Sequence, residues 1–269
     1  MSDFGVPAAY AVLIWWFTTG IILFLDGLPP RTFRWSMLGA SIGLVGAANM
    51  LRSSASDVSA HGAYTAFTCA ILVWGWLEMS FLMGFITGPR KHACRDRCTG
   101  WAHFVHATQA IIYNELATLG LAIAVAAATW KMPNRVALWT FLILWAMRLS
   151  AKLNLFLGVP NLGEKFLPAH LQYLKGFFRK RAMNGLFPVS VSASTIVTAW
   201  LVQRFLGAQS PFETTAYALT TSLLGLAVVE HWFMVLPLPS ERLWSWAFRS
   251  GNSERSPDAQ DLRITVKAP

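Results

Sequence analysis

Charge is scarce in this chain: Asp, Glu, Lys and Arg together supply 13% of 269 residues, about half of the ~25% usual in a soluble domain. With apolar runs of about 20 residues, that shortage makes lipid the solvent for most of the chain. A cytosolic enzyme and a DNA-binding domain are thereby excluded. Three cysteines are too few for a secreted disulfide scaffold. The sequence also lacks a nucleophile elbow, a phosphate-binding loop, a haem-attachment motif and any internal repeat. Acid is the scarcer charge, 13 residues against 22 basic ones, for a net +9. In a membrane protein such an excess reads as a cytoplasmic surface facing anionic lipid, and no nucleic-acid partner is expected.

What is present is hydrophobic length. Seven apolar segments, roughly 7–27, 35–51, 61–88, 101–130, 136–158, 186–207 and 213–236, are separated by turn residues or charge. The expected fold is all-α, a polytopic membrane protein of about seven transmembrane helices with interfacial helices on the cytoplasmic side. The second segment is the shortest; its Gly39, Gly43, Gly46, Ala47 and Ala48 form the small-residue surface by which membrane helices approach closely. The first lacks a basic n-region and an A-x-A site and is expected to remain as a span. Residues 1–250 read as one helical membrane domain and 251–269, polar and Ser/Pro-containing, as a disordered cytoplasmic tail.

Basic residues set the orientation. One side of a seven-span chain receives Arg52, Lys131, Arg135 and Arg204. The other receives sixteen, in four groups: Arg31 and Arg34; Arg90, Lys91, Arg95 and Arg97; Lys165, Lys175, Arg179, Lys180 and Arg181; and Arg242, Arg249, Arg255, Arg263 and Lys267. The N-terminus is therefore expected outside and the C-terminus in the cytoplasm. Phe166–Phe187 mixes Leu and Phe with Lys and Arg as a helix in the headgroup plane does, and Ser240–Phe248 reads as a second interfacial anchor. Cys94 and Cys98 fall in a basic cytoplasmic loop and are expected as free thiols; a lone C-x3-C is a weak metal signal.

An ionisable side chain inside a span costs about 2.5–3.5 kcal/mol and needs a partner or a cavity. Glu78, Glu115, Arg148, Lys152 and Glu230 are such residues, with His103, His106, Gln109, Asn114, Asn154 and His231 as polar companions. Counted at 1.5 Å per residue from the expected helix ends, Glu78 lies about 15 Å deep, Glu115 about 20 Å, Arg148 about 14 Å, and Lys152 and Glu230 about 8–9 Å. Three acids and two bases would thus neutralise one another in the cytoplasmic half of the membrane, Arg148 and Lys152 forming a cationic ladder one helical turn apart. With Asn154 and His231 they make the expected buried polar network. Such a network can serve helix register alone or line a cavity for a pigment, an ion or a headgroup. His103, His106 and His231, in aromatic surroundings, are candidate axial ligands of a magnesium tetrapyrrole, and each can equally be a packing histidine. A di-iron bundle site wants Glu-x-x-His, which the sequence lacks; Glu78, Glu115, His170 and Glu230 could still converge as a metal site if 166–187 folds back under the bundle.

Several long strings carry a resemblance: Trp76–Arg90 (WLEMSFLMGFITGPR), Tyr113–Ala117 (YNELA), Trp145–Pro160 (WAMRLSAKLNLFLGVP), Phe166–Ser190 with FLPAHLQYL and RAMNGLFPVS, and Glu230–Pro239 (EHWFMVLPLP). With them the chain resembles photosynthetic complex assembly protein 2, the PuhE type found beside the reaction-centre H-subunit gene of purple phototrophic bacteria. Asn114 stands where that family often has His, which weakens a metal reading. The resemblance implies participation in assembly of the reaction centre and light-harvesting complex in the bacterial cytoplasmic (intracytoplasmic) membrane, influencing bacteriochlorophyll supply or insertion; it does not imply a molecular activity, and a non-enzymatic factor is the preferred reading. The expected partners are photosynthetic complex subunits or pigment-synthesis proteins, and bacteriochlorophyll or a precursor is the candidate ligand. The alternative is a di-iron membrane enzyme modifying a bacteriochlorophyll or carotenoid intermediate, with iron as cofactor.

Overall fold

The computed structural model of the chain describes residues 2–94, 98–237 and 240–248. The tail expected at 251–269 and the basic residues Arg95, Arg97, Arg249, Arg255, Arg263 and Lys267 lie outside the described residues. Seven long helices follow the seven apolar segments: α1 (Ser2–Asp26), α2 (Phe33–Ser54), α3 (Ala60–Leu82), α4 (Gly100–Ala128), α5 (Val136–Leu157), α6 (Leu186–Leu206) and α7 (Pro211–Phe233), with a short α8 (Ser245–Phe248). No strand occurs among the described residues. Six of the seven are long and apolar enough to cross a membrane; α2, rich in Gly, Ala and Ser, is the one below that hydropathy. The chain is a polytopic helical membrane protein.

Local chemistry sets the helix starts. Ser59 caps α3 by accepting from Gly62 N at 3.1 Å, and Ser210 caps α7 by accepting from Glu213 N at 3.2 Å. Buried Asn184 opens α6, its Oδ1 accepting from Leu186 N (2.8 Å) and Phe187 N (3.1 Å) while its Nδ2 donates to the Gly158 carbonyl (2.9 Å). Asn134 does the same before α5: Oδ1 accepts from Val136 N, and Nδ2 reaches the carbonyls of Ser54, Asp57 and Gly62. One asparagine therefore ties the ends of α2, α3 and α5 together on the side opposite the long connections.

Helix α3 is the centre of the bundle and packs against α1, α2, α4, α5 and α7. Over half of its apolar window is buried, more than in any other candidate span. Its Phe67, Ile71, Val73 and Leu77 form the main core with Phe141 of α5 and Leu219 and Leu223 of α7. Chains of small and aliphatic residues pack here by van der Waals fit, since lipid offers no hydrophobic contrast.

Two expectations are corrected at the basic end. The third apolar segment runs to 88 in the sequence, but α3 stops at Leu82: Gly84, at φ +79°, donates to the Phe81 carbonyl, and Phe85 N donates to Ser80 O, both at 2.9 Å. This is the hydrogen-bond pattern of a Schellman C-cap, which needs glycine at the left-handed position. The apolar residues that follow are a loop laid along α4, where Asn114 N donates to Thr87 O (3.1 Å) and Arg90 N to Gln109 O (3.4 Å). A Cβ on Gly88 would collide with the Gln109 carbonyl oxygen, so the approach requires glycine.

The second correction concerns Phe166–Phe187. It is not one helix: 3-10 turns occupy Glu164–Phe166 and Ala169–Phe177, and an extended return follows. Its Leu171, Leu174 and Phe177 pack on Phe81 and Ala110, so the apolar side is spent on protein. In Ser240–Phe248, Trp244 is 4% exposed and packs on Leu23, donating from Nε1 to the Trp16 carbonyl at 3.1 Å, while Leu243 and Trp246 stay exposed.

Candidate functional site

At the basic end the second half of α1, the ends of α3, α5 and α7, and the first half of α4 surround a cavity of about 680 Å³. Residues of the 161–178 connection and Trp244 line it from below. Its walls are mostly apolar and aromatic, with Trp15, Trp74, Phe81, Phe104 and Phe156 among them. Glu78, Glu115, Arg148, Lys152, Glu230 and His231 all line it. Few sequence signals announce the cavity floor; aromatic residues in polar connections, such as Phe166 and Trp244, are the only hint.

The charges meet in pairs. Arg148 grips Glu78 with both carboxylate oxygens engaged, Nε to Oε1 at 3.0 Å and a terminal guanidinium nitrogen to Oε2 at 2.9 Å. That bidentate fork is the strongest ion-pair geometry available to these side chains. One turn further along α5, Lys152 Nζ donates to Glu115 Oε1 at 2.6 Å and stands 5.4 Å from the centre of the Phe81 ring. The levels match for a simple reason. Glu78 is four residues before the end of α3 and Lys152 five before the end of α5, about 6–8 Å at 1.5 Å per residue. Glu115 is fifteen residues into α4, but α4 overshoots the bundle and its first turns pack on the 3-10 segment Ala169–Phe177.

Glu230 is different. No hydrogen bond or ion pair to it is found among the described residues, and it shares the cavity wall with Arg148 and Glu78. Its side chain is exposed and stands on the cavity wall. Five charges thus form two closed pairs and leave one carboxyl for whatever enters.

The other sequence candidates are distributed as follows. His231 is 2% exposed; Nδ1 donates to the Ala227 carbonyl (2.9 Å), which fixes the tautomer, so Nε2 accepts from the Ser150 hydroxyl (2.9 Å). Asn154 is fully buried outside the cavity wall and donates to the Ser150 carbonyl (2.9 Å) and towards Ser190 Oγ (3.3 Å), tying α5 to α6. His103 stacks on Phe156 with ring centres 5.3 Å apart, and its buried Nδ1 has no hydrogen-bond partner. Neither His103 nor His106 lines the cavity. His170 Nε2 lies 2.7 Å from the Leu82 carbonyl and donates to it, just after the Schellman turn begins. It is not brought together with Glu78, Glu115 and Glu230.

Cys94 and Cys98, expected as free thiols, are paired as a disulfide. Both sulfurs also sit against His106 Nδ1, at 3.2 and 3.1 Å. The grouping is hidden in the sequence because the apolar run of α4 makes His106 read as a residue of the bundle interior.

No solved structure matches this chain. A protein of Rhodobacter capsulatus described as an uncharacterised 30.4 kDa protein in the puhA 5′ region is 36% identical over 273 residues, covering 100% of this chain and 97% of that protein. A family described as protein of unknown function DUF3623 matches residues 1–255. Matched from its first helix to beyond its last, the chain belongs to the DUF3623 family.

Proposed function

We propose that this protein is an integral-membrane assembly factor of the photosynthetic apparatus, of the PuhE type, that holds bacteriochlorophyll or a precursor in the charged cavity during assembly. The observation that carries the reading is the cavity itself: about 680 Å³ of mostly apolar and aromatic wall with one carboxyl left unpaired. That size is ordinary for a cofactor-sized ligand, and such sites combine apolar walls with a few convergent polar groups. A tetrapyrrole has matching chemistry, a broad apolar face with a polar rim and a magnesium ion that prefers hard oxygen or imidazole donors. Glu230 offers the free carboxyl. The Arg148–Glu78 and Lys152–Glu115 pairs offer fixed dipoles to the rim. The relative's place near puhA and the likeness to a family found beside the reaction-centre H-subunit gene support the same reading.

On this reading the basic end faces the cytoplasm and anionic lipid, and the outward helix faces meet antenna or reaction-centre subunits or pigment-synthesis proteins. A di-iron enzyme, the alternative, would have to break both cation pairs to free Glu78 and Glu115. Disruption of the gene tests the function: assembled-complex absorption should fall or free pigment should rise. Unchanged spectra and unchanged phototrophic growth would refute the proposal.

A further inference from the structure

Outside the cavity, a second group of side chains has a defined chemistry. Cys94, Cys98 and His106 form the one cluster of three or more His, Cys, Asp or Glu residues among the described residues whose ligand atoms all lie within 4.8 Å of one another. His106 Nδ1 faces the two sulfurs almost symmetrically, at 3.2 and 3.1 Å. All three residues are partly buried. Two glycines build this convergence. Gly100, at φ +61°, turns the loop into α4 so that Cys98 returns over the helix start. Gly176 of the underlying 3-10 segment admits Ala93 so closely that a Cβ there would stand 2.8 Å from the alanine Cβ, which seats Cys94.

Two thiolates and one imidazole nitrogen meeting at a point are the donor set of a Cys2His zinc site. We propose that, once reduced, Cys94, Cys98 and His106 bind one soft divalent cation of the Zn²⁺ class, with a fourth position left to water or another ligand. The balance is simple. A glutathione-class or dithiol reductant gives two electrons and two protons to the Cys94–Cys98 bond and is itself oxidised to a disulfide. Zn²⁺ then displaces the two thiol protons, which leave to solvent. Tetrahedral donors around zinc stand about 3.5–3.8 Å apart, so the sulfurs separate on reduction and His106 withdraws by a few tenths of an ångström. The site is independent of the proposed pigment cavity.

The test uses the full chain purified in mild detergent, treated with a phosphine reductant, incubated with zinc chloride and desalted. Metal analysis should give about one zinc per chain, the stoichiometry of a single three-ligand site. Cys94→Ser, Cys98→Ser and His106→Ala should each lose it, and Cys69→Ala, in the core of α3, should keep it. Cobalt substitution should add the intense visible bands of a tetrahedral thiolate site, and these should vanish in His106→Ala. Far-UV circular dichroism shows which variants are folded. Two titratable thiols in the reduced protein without bound zinc would overturn the proposal, as would zinc retained in folded Cys94→Ser and Cys98→Ser.

Discussion

Arg148 and Lys152 are held by different carboxylates, and this division determines what single substitutions should do. Arg148→Met leaves Glu78 without its fork, and Lys152→Met leaves Glu115 alone; each stranded charge should cost about 3 kcal/mol. Glu78→Leu combined with Arg148→Met should cost less than the sum of the singles, whereas Glu78→Leu with Lys152→Met should show a smaller coupling. Thermal or denaturant unfolding in detergent reads the cycle; equal coupling for both combinations would contradict the pairing. Glu230 behaves oppositely because it has no partner to strand. Glu230→Gln should change stability by less than about 1 kcal/mol while abolishing ligand retention. That these five residues need one another is legible in the sequence, since burying a lone charge in lipid is costly whatever the helix arrangement. Which acid takes which cation is not: three carboxylates and two bases satisfy the same count in several ways, and only helix rotation and overshoot decide.

At the scale of elements, the seven helices were legible because an apolar run of the right length has one low-energy form in lipid, with every backbone group bonded internally. Their ends at the basic face were not. Hydropathy carries the third segment on to 88, while Gly84 and Gly88 divert the backbone into a loop bonded to α4. The diversion makes a sharp prediction. Gly88→Ala must push the loop off the Gln109 and Ala110 backbone and should cost roughly 1–3 kcal/mol, as overpacking does. Gly88→Ala should also shift ligand binding, because the loop fixes the end of α3 from which Glu78 projects. Asn184→Ala removes a cap from α6 and strands the carbonyls it serves at Gly158 and Asn154; a loss of about 2 kcal/mol is expected. A thermal shift indistinguishable from wild type in either variant would show that the backbone finds other partners. The 3-10 path of 164–177 is not legible in the sequence because Leu171, Leu174 and Phe177 fit a surface helix and a buried turn equally well; what they bury is the overshooting start of α4, a tertiary fact.

For the whole molecule, the connections rich in Lys and Arg and the cavity lie at the same end of the bundle, so orientation and function are linked. A cysteine introduced at Asp57, between α2 and α3, should react with a membrane-impermeant thiol reagent in intact cells, and one at Lys180 only after the membrane is opened. The reverse pattern would turn the cavity to the periplasm and remove the proposed access to cytoplasmic pigment synthesis. The decisive measurement is the absorption spectrum of the protein purified in mild detergent from phototrophically grown cells. A tetrapyrrole band that co-elutes with wild-type protein and disappears in folded Glu230→Gln is the expected result. A colourless wild-type preparation that also fails to take up added bacteriochlorophyll or its precursors would contradict the account.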